Sequence, residues 1–197
     1  MGIGSMLIVA VLGYFLGSIP FGIVMARVFG LGDLRSIGSG NIGATNVLRT
    51  GNKLAAFLTL IGDAGKGALA VVLARIFIGE GAAGIAGLFA VLGHMYPVFL
   101  GFKGGKAVAT FLGTVLVLSF PVGAAACATW LVVAAVFRYS SLAGLSAAVL
   151  SPIYALIFYH WHGAVVIAVM AILVWIKHRG NLARLRSGTE PKIGKKS

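Results

Sequence analysis

Apolar runs long enough to cross a bilayer recur from the first residues to about residue 177. Taking about 17 to 25 residues per transmembrane helix, the pattern predicts helices over 6–28, 54–78, 81–101, 106–120, 121–138, 141–159 and 162–178. The expected fold is an all-α integral membrane protein of about seven spans. The fourth run is short and meets the fifth at Ser119-Phe120-Pro121, so a five-span arrangement is the alternative. Only 10% of the residues are charged, against roughly 25% in soluble domains. Too few polar side chains are present to cover a globule in water, and the lipid bilayer is the expected surrounding.

The few charges are strongly biased. Sixteen Lys and Arg face four Asp and Glu, giving a net charge of +12. In a soluble protein that balance suggests nucleic acid. Here the cations lie between and after apolar runs, which points instead to topology and anionic substrates, with no nucleic-acid partner. The first five residues carry no basic side chain, and the run 6–28 is too long for a cleaved signal peptide. We read it as a retained span with the N-terminus outside. That orientation puts 14 of the 16 cations (all but Lys66 and Arg75) on the inner side, as the positive-inside rule requires. The C-terminus is then cytoplasmic. Residues 1–197 read as one membrane domain, with a basic tail over 179–197. No internal repeat of the kind common in transporters is visible. The single cysteine, Cys127, reads as a small buried hydrophobe.

Four polar segments break the apolar pattern. In Gly38 to Lys53, GSGNIGATNVLRTGNK, glycines 38, 40 and 43 spell GxGxxG. A dinucleotide fold would need a preceding strand, and a transmembrane run stands there instead. The physics of the glycines still applies, because they let backbone N–H groups converge on an anion. Ser39, Asn41, Thr45 and Asn46 add neutral hydrogen-bonding groups, and Arg49 is suited to grip a phosphate through paired bonds. A plain glycine-rich turn is the alternative. In GDAGKG, Asp63 and Lys66 share a helical face three residues apart. Intramembrane charges are costly and need a partner or a purpose, so either a structural ion pair or substrate contact is open. In Gly93 to Thr110, GHMYPVFLGFKGGKAVAT, Lys103 and Lys106 surround Gly104 and Gly105, and His94 lies in the preceding apolar run. In His178 to Ile193, HRGNLARLRSGTEPKI, His178 and Asn181 are three apart at the membrane mouth, and Glu190 reads as a structural charge partner among cations. Ser141 sits on the remaining inner turn. On the outer side His160 and His162 flank Trp161 without carboxylate or cysteine support, so no metal site is expected there.

Four acidic residues leave no carboxylate cluster for Mg²⁺, and no histidine has an aspartate five positions later. The remaining chemistry is cations, glycines, hydroxyls and amides, which bind phosphate and stabilise an oxyanion.

The strings GSGNIGATNVLRTG, GHMYPVFLGFKGGKAVAT and HRGNLARLRSGTEPK resemble the three motifs of bacterial acyl-phosphate:glycerol-3-phosphate acyltransferases, the PlsY family. The resemblance runs from the first helix to the tail. Departures are Ala107 for the usual glycine, Gly180 for a frequent acidic residue and Leu182 for the usual isoleucine. The resemblance implies a multi-pass enzyme of the bacterial inner membrane that makes lysophosphatidic acid without metal or cofactor. Its acyl phosphate would come from the membrane and its glycerol 3-phosphate from the cytoplasm. It ties Ser39, Asn41, Thr45 and Arg49 to catalysis, and Lys103, Gly104, Gly105 and Lys106 to glycerol 3-phosphate. His178 and Asn181 match functional positions of the third motif, and Glu190 one linked to structural integrity. We add Gly38, Gly40, Asn46, Lys66, His94 and Ser141 as candidate substrate-binding residues. An organic-anion or phosphate transporter and a non-catalytic scaffold are the rivals; the first would want polar residues on a path through the nearly featureless outer half, and the second would not need three glycine-rich loops on one side.

Overall fold

The computed structural model describes residues 2–194. Met1 and the tail residues Lys195 and Lys196 lie outside the described residues. Among the described residues the chain is helical throughout, as hydrocarbon demands of a backbone that has no water to bond. The helices are α1 (Ile3–Ser18), α2 (Phe21–Val28), α3 (Ala44–Val47), α4 (Lys53–Phe77), α5 (Glu80–Met95), α6 (Val108–Leu118), α7 (Phe120–Phe137), α8 (Ser140–Phe158), α9 (Trp161–Lys177) and α10 (Arg179–Arg186).

Every apolar run of the sequence falls on a helix, though the helices differ in length. Five stretches are long and apolar enough to cross a membrane, counting Ile3–Val28 as one; a sixth joins α9 to α10 across a 60° bend. The predicted fourth span is α6, with only 11 residues. The reason lies in the preceding loop. After α5 the chain drops back against the helix it has just left, and the Gly105 N–H donates to the His94 carbonyl at 3.1 Å. Gly104 lies so close to the His94 and Met95 backbone that a Cβ there would overlap it. The polar loop therefore takes up length that a full helix would have used. Ala107 starts α6 in the left-handed region, with φ 59°, where its Cβ carries a cost of about 1–2 kcal/mol. That is one of the positions at which the chain departs from the family motif.

Lipid tails are as apolar as leucine, so helices in a bilayer associate through close fit rather than hydrophobic expulsion. Small residues supply that fit here. Gly13 and Gly17 of α1 press on the backbone of Ala86 and Ala90 of α5, and Gly93 presses back on Tyr14. Gly113 of α6 meets the Ala64 backbone of α4, and Gly123 of α7 meets Leu116 of α6. A central apolar cluster around Val91, Phe111, Val115, Ile167 and Met170 fills the space between α5, α6 and α9. Leu12, Val136, Ile157 and Ile172 point outward, as lipid-facing residues should.

The break at Pro20 divides the first run into α1 and α2, because proline cannot continue the hydrogen-bond ladder. The carbonyl of Ile19, at that break, accepts a bond from Lys66 Nζ at 2.7 Å, and Lys66 also bonds Asp63 Oδ1 at 2.9 Å. Both charged side chains are fully enclosed. The Lys66 ammonium is thus engaged by the helix packing, as a structural ion pair requires.

Lys66→Met leaves the Asp63 carboxylate buried without its cation. We expect a loss of about 3–5 kcal/mol, read as a lowered Tm in detergent; Asp63→Asn combined with Lys66→Met should recover much of it.

Candidate active site

The loops after α2, α5 and α7 and the tail after α9 converge at one end of the bundle. They surround a cavity of about 460 Å³. Its upper part is polar, its deeper part is walled by leucines, and its shape follows from how each loop is tied.

Asn46, itself buried, is the knot of the first loop. Its Nδ2 donates to the Leu34 carbonyl at 2.7 Å. Its Oδ1 accepts the Ser39 N–H at 3.1 Å and Arg49 Nη1 at 3.0 Å. One amide therefore fixes both the Ser39 turn and the Arg49 guanidinium. Gly38, with φ 52°, passes directly beneath Arg49; a Cβ there would sit 2.6 Å from Arg49 Cδ and from Asn46 Oδ1. Thr45 and Ser140 share a hydroxyl–hydroxyl bond of 3.0 Å that closes the loop against α8.

The third segment turns the corner between α9 and α10. His178 is buried, and its Nδ1 lies 2.7 Å from the Val174 carbonyl. A carbonyl only accepts, so Nδ1 carries the proton and Nε2 is the basic nitrogen of the neutral ring. One turn later Asn181 Nδ2 donates to Glu190 Oε1 at 2.6 Å, while Arg184 Nε donates to Glu190 Oε2 at 2.8 Å. Glu190 thereby folds the tail back over the cavity, with Pro191 in its rim. The tail is also held from the opposite side, where the Ile193 N–H donates to the Arg138 carbonyl at 2.7 Å.

The electrostatics are those of an anion site. Lys106 lines the cavity, and burial pushes its ammonium down to about 8, with Arg184 and Arg49 adding repulsion and Glu190 opposing it. Burial also lowers Arg49 from its ordinary value, although a guanidinium stays charged in any protein. The buried Ser141 hydroxyl lies beside Glu190, whose carboxyl it helps hold below its ordinary value. A second polar hollow of about 340 Å³ adjoins the first through Ser39, Asn41 and Lys106, and adds Gly104, Lys177 and Arg179.

Most of the sequence candidates meet here. Ser39, Asn41, Thr45, Asn46, Arg49, Lys106, Ser141, His178 and Asn181 line the main cavity, and Gly40, Gly104 and Gly105 line the adjoining hollow. The remaining candidates are placed differently. Lys103 is exposed and lines neither hollow; its carbonyl accepts from Arg35 Nη2 at 2.8 Å. Lys66 lies behind the wall, spent on Asp63 and Ile19. Gly38 is support rather than lining. His94 does reach the cavity, pressed beneath Gly105, with Nδ1 3.4 Å from Asp63 but misaligned for a hydrogen bond. Asp63, Ser140, Glu190, Cys127 and Trp130 also line the cavity and were not singled out as site residues. For Glu190 a signal existed: it is the only carboxylate in a tail otherwise rich in cations. Among the described residues no group of three His, Cys, Asp or Glu side chains is placed to hold a metal.

A sequence model described as glycerol-3-phosphate acyltransferase matches residues 7–188, nearly the whole chain. The chain belongs to the glycerol-3-phosphate acyltransferase family. A family member named glycerol-3-phosphate acyltransferase from Jannaschia sp. (strain CCS1) is 66% identical over 95% of this chain and 93% of its own. One from Cereibacter sphaeroides (strain ATCC 17025 / ATH 2.4.3) is 57% identical over 100% of this chain and 93% of its own. The crystal structure of PlsY, an integral membrane glycerol 3-phosphate acyltransferase, in its glycerol 3-phosphate form, superposes with a TM-score of 0.90 at 39% identity, covering 96% of each chain. Its lysophosphatidic acid form superposes with a TM-score of 0.87 at 36% identity.

Lys106 gives this acyltransferase-family site a pH signature. The ammonium is present below about 8 and lost above it. Affinity for glycerol 3-phosphate should fall between pH 7.5 and 9.5, by roughly tenfold for one charged hydrogen bond. Lys106→Arg should flatten that fall, and Lys106→Met should be weak throughout; titration calorimetry reads all three.

Proposed function

We propose that this protein transfers a fatty acyl group from acyl phosphate to the 1-hydroxyl of sn-glycerol 3-phosphate, giving lysophosphatidic acid and inorganic phosphate. The observation that carries the reading is the single cavity. It joins a mouth holding Arg49, Lys106 and His178 to a wall of Leu60, Leu112 and Leu116. One half suits phosphates and the other an acyl chain. Each acyl CH₂ held in lipid contributes about 0.8 kcal/mol, so a long-chain donor stays in the membrane. Glycerol 3-phosphate, being soluble, comes from the cytoplasm.

Arg49 and Lys106 hold the two phosphates, and Ser39, Asn41 and loop amides orient the acyl carbonyl. The glycerol oxygen forms a bond to the acyl carbon as the bond from that carbon to the phosphate oxygen breaks. The hydroxyl proton passes to His178 Nε2 or to a substrate phosphate. A carboxylate base does not suit this geometry, because Asp63 is bonded to Lys66, and Glu190 to Asn181 and Arg184. Ser39 Oγ has only Asn46 as a hydrogen-bond partner, at 3.4 Å, which favours direct transfer over an acyl-enzyme. Since acyl phosphate is already activated, positioning and charge stabilisation supply most of what the reaction needs.

The charge bias supports an N-terminus outside and a cytoplasmic C-terminus, with the site facing the cytoplasm of the bacterial inner membrane. A transporter would need a path to the opposite face. The close contacts of Gly113 with Ala64 and of Gly123 with Leu116 stand across that direction.

Purified protein given palmitoyl phosphate and labelled glycerol 3-phosphate should release lysophosphatidic acid and phosphate in equal amounts, with neither metal nor coenzyme A added. No product in any lipid environment would overturn the proposal. In His178→Ala, we expect kcat to drop by about 10²–10⁴ with glycerol 3-phosphate binding intact. An acyl-serine trapped by rapid quenching would replace direct transfer with a two-step route.

A further inference from the structure

Where the chain turns back after α5, one side chain fills the space inside the turn. His94, in the last turn of α5, is only 5% exposed, yet it lines the cavity. It meets the loop before Lys106 at three points. Its carbonyl accepts the Gly105 N–H at 3.1 Å. The same carbonyl lies so close to Gly104 that a Cβ there would overlap it. Its ring meets Gly105 by an edge, and a Cβ on Gly105 would overlap Nε2. On the opposite edge Nδ1 faces Asp63 Oδ1 at 3.4 Å, without a hydrogen bond. Asp63 is bonded in turn to Lys66, and Lys66 to the Ile19 carbonyl.

We infer that His94 is a positioning residue for Lys106: its ring props Gly105 from below and so sets where the neighbouring ammonium meets the phosphate of glycerol 3-phosphate, with Asp63 orienting the ring. This rests on the acyltransferase reading given above. Residues 103–107 form no helix or strand, and two consecutive glycines carry the widest backbone freedom of any residue pair. The loop therefore cannot aim Lys106 by itself, and ordering it anew at each binding event would weaken affinity. What holds it is the surface it rests on. A planar imidazole, buried and faced on both edges, is a rigid support. The placement also accounts for the glycine, since only a residue without a Cβ can rest directly on the ring. Through Asp63 and Lys66 the support reaches the break before α2, after which the Ser39–Arg49 loop follows. Both anion-binding loops are thereby set in one frame.

The experiment separates the two edges of the ring. His94→Asn keeps a polar group near Nδ1 and removes the edge beneath Gly105; His94→Gln reaches the place of Nε2 and gives up Nδ1. With palmitoyl phosphate at saturation, we expect His94→Asn to raise the KM for glycerol 3-phosphate by about tenfold or more, the scale of one charge-assisted hydrogen bond, with a smaller change in kcat. His94→Gln should recover most of that loss. Gly105→Ala, pushed off the ring, should raise the same KM. Combined with His94→Asn it should do less harm than the two changes summed, because the added methyl fills the vacated space. The support is overturned if His94→Asn keeps the wild-type KM, even with a lowered Tm, if His94→Gln is impaired as much as His94→Asn, or if the double variant is merely additive. Should His94→Asn not fold, Gly105→Ala carries the test, and a wild-type KM in it overturns the proposal. A wild-type protein that makes no lysophosphatidic acid from palmitoyl phosphate overturns the functional reading and the support together.

Discussion

An ammonium enclosed in an apolar interior must be neutralised and hydrogen-bonded, and Lys66 meets that demand by joining two parts of the molecule. Its bonds to Asp63 and to the Ile19 carbonyl tie the break in the first run to the middle of α4. Asp63 in turn lies on the cavity wall beside His94. The clamp thus sets where α2 and its following loop begin, and that loop carries Ser39, Asn46 and Arg49. A pair of this kind is a weak source of net stability, because desolvation offsets most of the attraction. Its effect is on register: it fixes which residues of the first span face α4.

Above the clamp, the site is built almost without spare carboxylates. The two acids in it are both engaged, so the cations Arg49 and Lys106 face the cavity with their charge largely uncompensated. Burial and the neighbouring cations lower the Lys106 ammonium to about 8, and an anion beside it would favour its charged form. The neutral groups do a different task. Asn46 spends its amide on holding the loop, whereas Ser141 lines the cavity beside Glu190.

Much of this was legible in the sequence because each motif reports a local need. Glycines at 38 and 40 signalled a tight loop, and both adopt positive φ. The pairing of His178 with Asn181 followed from helical spacing and survives in the bend between α9 and α10. What the sequence could not show was which cations are spent. Lys103 and Lys106 look alike three residues apart, but the turn through Gly104 and Gly105 sends one outward and one inward. The carbonyl that accepts from Lys66 could not be read from the sequence either, because it lies 47 residues away at the break between α1 and α2. The shortness of α6 has a related cause: hydropathy registers it as apolar, but not that the loop before it folds back against α5.

The site is closed by its last segment. Arg49 and Ser39 belong to the first quarter of the chain, but Asn181 and Glu190 arrive near its end, and Glu190 joins Asn181 and Arg184 only when the tail has folded back. During synthesis the earlier helices enter the bilayer with the cation-lined mouth still lacking this cover. The order of translation therefore acts as a safeguard on timing. A nascent chain holds phosphate-seeking groups at the membrane surface well before it holds a completed reaction chamber, and chemistry waits for the final turn of the polypeptide.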